Sequence, residues 1–203
     1  LLRTIADLAH RAGLRVELMA STGRAAKVLS ASTGRPASTI HRTIYRASTQ
    51  MQEEGGSFQL GRVSTTTPTL FIVDEASMIS GDMGEMTPFG SGNLLDDLLS
   101  YVWSADEAKL IFVGDTAQLP PVGTPLSDAL NAEVLTSRYG LHVYGMELRE
   151  VVRQKRGGIL HNATQLRELL DEYADEDPEE ILPIHLETEG WRGIFPVEGG
   201  TFI

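Results

Sequence analysis

The sequence predicts an α/β fold with a parallel β-sheet, and two apolar stretches followed by acidic residues carry this prediction. Residues 70–73 form an uncharged apolar run that ends abruptly at Asp74 and Glu75. Residues 110–113 form a second run of the same kind, and Asp115 follows it after one glycine. Continuous apolar runs of this length are typical of strands that are buried on both faces, as in a parallel sheet.

The polar residues that follow these two strands in the sequence are expected at the same edge of the predicted sheet. Ligands of open α/β sheets bind just past the carboxyl ends of the strands. Asp74 and Glu75 follow the first strand, whereas Asp115 and Gln118 follow the second. P-loop enzymes assemble a site for a nucleoside triphosphate in this way, with acids beside a phosphate-bound metal. The alternative is an ordinary strand end that happens to finish in two acids.

Composition excludes several classes of protein. A chain of 203 residues has room for one core, or for one domain and part of another. It has no cysteine, which excludes disulfides and thiolate chemistry. No apolar stretch approaches the length of about 18 residues that a membrane span needs, and no signal peptide is recognisable. We therefore expect a cytoplasmic protein without a membrane partner.

Charge is distributed unevenly along the chain. Residues 1–62 hold nine Arg and Lys against four Asp and Glu, a balance of +5, and residues 63–203 have a balance of −16. The net charge of −11 argues against a nucleic-acid partner, but the basic first part favours one. The acidic excess peaks at residues 171–180, which we interpret as a solvated helix end and loop.

The remaining pattern predicts alternating helices and strands. The first expected elements are a helix over 1–12 with Leu2, Ile5, Leu8 and Ala9 on one stripe, a strand over 14–20, a helix from Ser21 or Thr22 to Leu29, and a short helix over 36–45 capped by Ser38 or Thr39. The later ones are a hairpin or loop over 46–67, a loop over 81–93, a helix over 94–103, a helix over 127–137, a strand over 141–148, a helix over 159–173 and short strands over 184–203.

The turn at residues 21–24 is a candidate anion-binding feature. Free N–H groups and the positive dipole end of the helix suit an anion, and Arg24 and Lys27 add positive charge there. Taken alone, a capped helix with two basic residues is more often only a helix. A lone histidine such as His41 is likewise more often a structural hydrogen-bonding residue than a ligand.

Five motifs together carry a resemblance to a known family. They are Ser-Thr-Gly-Arg-Ala-Ala-Lys at 21–27, Thr-Ile-His-Arg at 39–42, Asp-Glu-Ala-Ser-Met at 74–78, Gly-Asp-Thr-Ala-Gln-Leu-Pro-Pro-Val-Gly at 114–123 and Leu-Arg-Glu-Val-Val-Arg-Gln at 148–154. In this order they make residues 14–175 resemble superfamily 1 DNA helicases of the RecD-like group, relatives of the exonuclease V alpha subunit and of Pif-type helicases. The resemblance implies a three-layer P-loop NTPase (RecA-like) fold, a parallel sheet with helices on both faces, incomplete at both ends.

The resemblance also implies roles for individual residues in binding ATP and Mg²⁺. Asp74 is expected to hold Mg²⁺ through water, and Glu75 to orient and deprotonate the attacking water. Gln118 is expected to sense the γ-phosphate, and Asp115 to support its loop. Arg153 is expected to reach the γ-phosphate and stabilise the charge of the transition state; the alternative is a surface charge.

Single-stranded DNA is the partner that the resemblance implies, together with a helicase or nuclease partner subunit. The expected DNA-binding residues are Thr22, Gly23, Arg24, His41 and Arg42. Such tracks bind phosphates through hydroxyl groups, backbone N–H groups and cations.

The chain departs from the family pattern in one respect. It has no Gly-x-x-x-x-Gly-Lys-[Ser/Thr] loop, which cradles the phosphates in P-loop enzymes. We interpret residues 1–12 as the helix that follows such a loop, and residues 1–147 and 148–203 as the first motor domain and the start of a second. We therefore expect a fragment that is inactive by itself, within an active parent protein.

Two other functional hypotheses remain open at this point. The first is a non-catalytic module that uses a helicase-like fold to hold DNA or a partner protein. The second is a P-loop ATPase that does not translocate, against which the motifs at 39–42 and 114–123 count.

Overall fold

The computed structural model describes residues 1–47, 58–79, 89–118, 121, 126–148 and 164. Contacts divide the chain into two compact units, Leu1–Gly145 and Met146–Ile203, and nearly all described residues lie in the first. The domain boundary expected at residue 147 stays a prediction. Residues 81–88 of the expected loop over 81–93 lie outside the described residues. The short strands expected over 184–203 also lie outside them, as does the helix expected over 159–173 apart from residue 164.

The first unit alternates helices and strands. In chain order the elements are α1 (Leu2–Arg11), β1 (Arg15–Ala20), α2 (Gly23–Thr33), β2 (Ala37–Thr39), α3 (Ile40–Ile44), β3 (Tyr45–Ala47), β4 (Phe58–Leu60), β5 (Thr69–Asp74), α4 (Leu94–Val102), β6 (Ala108–Phe112) and α5 (Ala132–Ser137). Two short 3-10 helices also occur, at Ala76–Met78 and Asp128–Leu130.

Four strands form one parallel sheet in the order β2-β1-β5-β6. Ala20 lies opposite both Thr39 of β2 and Asp74 of β5, and Val73 lies opposite Phe112 of β6. The carboxyl ends of all four strands therefore meet at one edge of the sheet. This register confirms the parallel sheet that the apolar runs at 70–73 and 110–113 predict.

Helices cover both faces of the sheet because successive strand residues point to opposite sides. On one face, Met19, Phe71 and Val73 are buried against residues of α3 and α4. Burying a side chain as large as Phe71 stabilises the fold by about 1.5–3 kcal/mol.

The other face is covered by α1 and α2. Leu18, Leu70 and Ile72 form a second cluster there with Leu29 of α2, and residues of α1 pack against it. The three-layer architecture is thus confirmed. None of the described helices is both long and apolar enough to cross a membrane.

Side-chain caps fix where the helices begin. Thr22 accepts a hydrogen bond from Ala25 N at the start of α2, and Thr39 accepts one from Arg42 N at the start of α3. Asn93 caps α4 in the same way. Helix α2 ends at Gly34, whose φ of 70° is left-handed and therefore favours glycine. The sequence left Ser21 or Thr22 as the cap of α2, and Ser38 or Thr39 as the cap of α3. The caps in the structure are Thr22 and Thr39.

In and beside the segment 46–67, which is expected to be a hairpin or loop, β3 pairs antiparallel with β4. The short helix expected over 36–45 is wrong in its first part. Residues Ala37–Thr39 form β2 instead, because they extend alongside β1 and complete its backbone hydrogen bonds.

Three further expectations are wrong. Leu8 is 58% exposed, and the buried residue of α1 is Ala6, so the apolar stripe is narrower than predicted.

The helix over 127–137 is broken at Asn131, because this residue accepts hydrogen bonds from Glu133 N and Val134 N and restarts the helix as α5.

The strand expected over 141–148 does not form within the described residues. Leu141 and Val143 pack against the core, whereas Tyr144 is 92% exposed. An alternating pattern predicts which side chains face inward, but a strand also needs a neighbouring backbone to pair with.

Candidate functional site

The carboxyl edge of the sheet brings together segments that are far apart in sequence. Each segment of interest follows one of the four parallel strands. The Ala76 amide donates a hydrogen bond to Val113 O at 2.9 Å, which joins the turns after β5 and β6. The Ser21 hydroxyl donates to Met78 Sδ at 3.7 Å, which joins the turns after β1 and β5.

Asp74 is the last residue of β5, and its side chain is half-buried. Its Oδ1 accepts the amide of Glu75 at 3.0 Å. Within the part of the chain that the structure describes, no group of three metal-ligating side chains occurs. Mg²⁺ takes one or two carboxylates together with phosphate oxygens and water, so a single partly exposed aspartate fits that ion when a nucleotide supplies the other ligands.

Glu75 has an unusual backbone conformation. Its φ of 55° and ψ of 41° are left-handed, and no other non-glycine residue in the described ranges has a positive φ. This conformation costs an L-residue about 1–2 kcal/mol. It turns the chain sharply at the strand end, and strain of this kind occurs preferentially at functional sites.

The turn after β6 is held by its own aspartate. The Asp115 carboxylate accepts the Ala117 amide at 3.1 Å, and Asp115 O accepts the Gln118 amide at 3.1 Å. Gln118 is exposed at this turn. The contacts of Asp115 are those that a loop-supporting residue makes. Arg153 lies outside the described residues.

The turn after β1 presents Gly23 and Arg24 to solvent. An added Cβ on Gly23 would meet no atom within 4 Å, so no protein contact requires a glycine there. A ligand backbone could approach closely at this point. The Thr22 hydroxyl caps α2 by accepting Ala25 N at 3.1 Å, and it keeps its own hydrogen available for donation.

The two residues expected to bind DNA after β2 have different environments. The His41 ring packs against Tyr45 at 5.7 Å and edge-on against Phe89 at 5.3 Å. Burial lowers the pKa of His41, so the ring is neutral at pH 7. Arg42 is exposed at the start of α3. The His41 ring is thus partly buried among aromatic side chains, whereas Arg42 is exposed, and the role of each in binding DNA stays a prediction.

Two residues at this edge, Gly114 and Ser127, make contacts that were not predicted from the sequence. An added Cβ on Gly114 would lie 2.9 Å from Ser77 N, so the turns after β5 and β6 touch through their backbones. Ser127 contacts the turn after Glu75 from about 50 residues away in sequence. A glycine directly after an apolar strand is a signal of close backbone approach, but nothing local marks Ser127.

A separate shallow cleft lies at the opposite, amino-terminal edge of the sheet. Its lining residues are Leu14, Pro68, Trp103, Ala105, Asp106, Glu107, Ala108 and Lys109. Because Thr69 and Ala108 begin β5 and β6, this cleft is a full strand length away from Asp74 and Glu75. It therefore plays no part in the site described above.

A parallel sheet between two helical layers, with acids after the carboxyl ends of the neighbouring strands β5 and β6, defines an α/β domain of the P-loop NTPase type. The sequence profile of a family described as AAA domain matches residues 1–182. The chain therefore belongs to this family.

A characterised relative makes the assignment more specific. The chain is 35% identical over 159 residues, 78% of its length, to the ATP-dependent RecD2 DNA helicase of Deinococcus radiodurans. The resemblance to RecD-like superfamily 1 helicases is therefore confirmed. The chain spans 19% of the length of that relative.

Proposed function

We propose that this chain is part of an ATP-dependent DNA helicase that couples ATP hydrolysis to movement along single-stranded DNA. The observation that carries the proposal is the pairing of β5 with β6, which places Asp74 and Glu75 beside the turn that contains Asp115 and Gln118. The similarity to a named DNA helicase supports it.

In this proposal each residue at the edge of the sheet has a different role in ATP hydrolysis. Mg²⁺, when bound, neutralises charge that develops on the phosphates. Asp74 holds its water shell, and Glu75 orients the attacking water and accepts its proton. Gln118 senses the γ-phosphate, and Arg153 stabilises the transition state.

The adjoining turns form the proposed DNA track. Thr22, Gly23 and Arg24 follow β1, and Arg42 follows β2, all at the same edge of the sheet as the acids. Arg24 and Arg42 are exposed and form no salt bridge with other described residues. Exposed cations beside free hydroxyl and N–H groups match the chemistry of a phosphate backbone.

The test is Glu75→Gln in the full-length protein that carries this region. We expect loss of DNA-stimulated ATP hydrolysis with retained binding of nucleotide and single-stranded DNA, because only the proton acceptor is removed. Glu107→Gln is the matched control, since Glu107 is exposed at the opposite edge of the sheet. Unchanged hydrolysis in Glu75→Gln would refute the role of Glu75.

A non-catalytic binding module is the second candidate function. Such a module would use the same fold to hold DNA or a partner protein without hydrolysing ATP. ATP hydrolysis by the full-length protein decides between the two functions. We expect the 203-residue chain alone to hydrolyse ATP negligibly, and turnover comparable to that of a complete helicase would contradict this. Binding of a helicase or nuclease partner subunit is a separate proposal.

A further inference from the structure

Ser127 makes an unusual set of hydrogen bonds behind Glu75. It is 1% exposed, and its hydroxyl lies 2.8 Å from Ala76 O and 2.7 Å from Ile79 O. These two carbonyls stand at the start and just past the end of the 3-10 helix Ala76–Met78. The same oxygen accepts the Ala129 amide at 3.3 Å. One side chain therefore holds both ends of the turn that follows Glu75.

This turn is also held by backbone hydrogen bonds, from Ala76 N to Val113 O and from Ile79 N to Ala76 O. Its carbonyls are buried, and a buried acceptor without a donor is unfavourable. Ser77 does not donate to these carbonyls, because its buried hydroxyl has no hydrogen-bond partner among the described residues. The Ser127 hydroxyl is thus the side-chain donor at both carbonyls: its single hydrogen is shared between Ala76 O and Ile79 O, and Ala76 O also accepts the Ile79 amide at 3.1 Å.

We propose that Ser127 is a positioning residue, which keeps Glu75 in its left-handed conformation by clamping the turn behind it. A strained backbone conformation persists only when its surroundings over-determine it. Ser127 supplies one such restraint, and it touches no reacting group itself. The importance of this clamp for catalysis rests on the function proposed above, whereas its mechanical role does not.

Gly114 supplies a second restraint on the same turn. A Cβ at this position would lie 2.9 Å from Ser77 N and 2.8 Å from Leu130 Cδ1. Leu130 belongs to the 3-10 helix that Ser127 caps. The turn after Glu75 is therefore enclosed by the end of β6 on one side and by the segment 127–130 on another.

The mechanical role is tested on the 203-residue chain with Ser127→Ala and the control Thr69→Val. Thr69 is equally buried and donates to Thr67 O at 2.8 Å, but it lies at the other end of β5. We expect hydrogen–deuterium exchange over residues 75–79 to accelerate roughly tenfold in Ser127→Ala and to stay unchanged in Thr69→Val. Equal exchange in Ser127→Ala and wild type would overturn the proposal.

The catalytic consequence is tested in the full-length protein. A misplaced catalytic group lowers turnover by about 10- to 100-fold, so we expect Ser127→Ala to lower kcat by that factor. The dissociation constants for nucleotide and single-stranded DNA should not change. In the Glu75→Gln background, Ser127→Ala should have no further effect, because Ser127 acts through Glu75.

Three other experimental outcomes bear on the role of Ser127. Multiplicative effects of the two substitutions would show that Ser127 does not act through Glu75 and would overturn its positioning role. If Ser127→Ala fails to fold, Ser127→Cys replaces it, and the weaker S–H donor should give a smaller acceleration of exchange and a smaller loss of kcat. If Glu75→Gln alone leaves hydrolysis unchanged, the proposed role of Glu75 fails, and with it the catalytic consequence of Ser127, while the exchange experiment still tests whether Ser127 holds the turn.

Discussion

The amide of Ala76 donates to the carbonyl of Val113 at 2.9 Å, and this bond joins the two segments that carry the candidate acids. Ala76 directly follows Glu75, and Val113 lies two residues before Asp115. A change at the end of either strand therefore reaches the other through backbone atoms. Stability and activity should therefore depend on the residues that contact the Ala76–Val113 hydrogen bond, as well as on the acidic residues.

Gly114→Ala should destabilise the first unit. The new methyl group would meet Ser77 N and Leu130 Cδ1 at under 3 Å, and such overpacking costs about 1–3 kcal/mol. Urea denaturation of the 203-residue chain measures this loss. Gly145→Ala is the control, because its Cβ would meet nothing within 4 Å and the change should stay within about 0.5 kcal/mol. Equal stability of the two variants would contradict the close contact.

His41 should make the protein sensitive to mild acid. Burial lowers the pKa of His41 below the usual 6.5, so the unfolded chain takes up a proton more readily than the folded one. Its contribution to stability is complete above pH 6.5 and is lost as the pH falls through the lowered pKa. His41→Gln should flatten the decline in the free energy of unfolding as the pH falls below 6.5. An equally steep decline in the variant would rule this out, and His10→Gln, which changes an exposed histidine, is the control.

Asp97→Asn should loosen the base of the β3–β4 hairpin. Asp97 is 5% exposed and accepts the Tyr45 hydroxyl at 2.7 Å and the Ser91 amide at 2.9 Å. Hydrogen bonds to a charged group contribute about 1.5–3 kcal/mol, so we expect a loss of that order in thermal or urea unfolding.

The pKa of Tyr45 gives an independent reading of the same contact. Burial, the hydrogen bond to Asp97 and the charge of Asp97 all raise the pKa of this hydroxyl. The pKa of Tyr45 should fall in Asp97→Asn but stay above its usual value, because burial still raises it. Asp106→Asn, an exposed aspartate, should change neither the stability nor the Tyr45 pKa.

Arg24 and Arg42 should determine how strongly salt weakens binding to single-stranded DNA. Each phosphate contact on a single strand contributes about 0.7 to the slope of log K against log salt concentration, so Arg24→Gln with Arg42→Gln should reduce it by about 1.4. Arg15→Gln removes one exposed charge at the opposite edge and should leave the slope unchanged. A slope that does not respond to the double substitution would remove these residues from the proposed track.

Much of this fold was predictable because its signals are local. The apolar runs at 70–73 and 110–113 form neighbouring parallel strands. Residues 70–73 are buried on both faces of the sheet, as an uncharged run predicts, whereas residues 110–113 are only partly buried. Thr22, Thr39 and Asn93 cap helices, since a side-chain oxygen beside free N–H groups needs no distant partner. The placement of Asp74 and Asp115 at one edge followed from the parallel direction of their strands.

Other features depend on partners that the pattern of a single segment does not contain. Ala37–Thr39 is a strand because β1 lies beside it, and residues 141–148 alternate like a strand without pairing as one. The left-handed conformation of Glu75 is not favoured by glutamate itself and requires support from outside the turn.

Periodicity and capping chemistry thus established the layers of this protein and the edge at which its acids lie. The exact disposition of those acids came from contacts such as Ser127 with Ala76, which join segments 51 residues apart. Such contacts form only when the whole chain is packed, because their energy depends on burial and on distances that no local run of residues encodes.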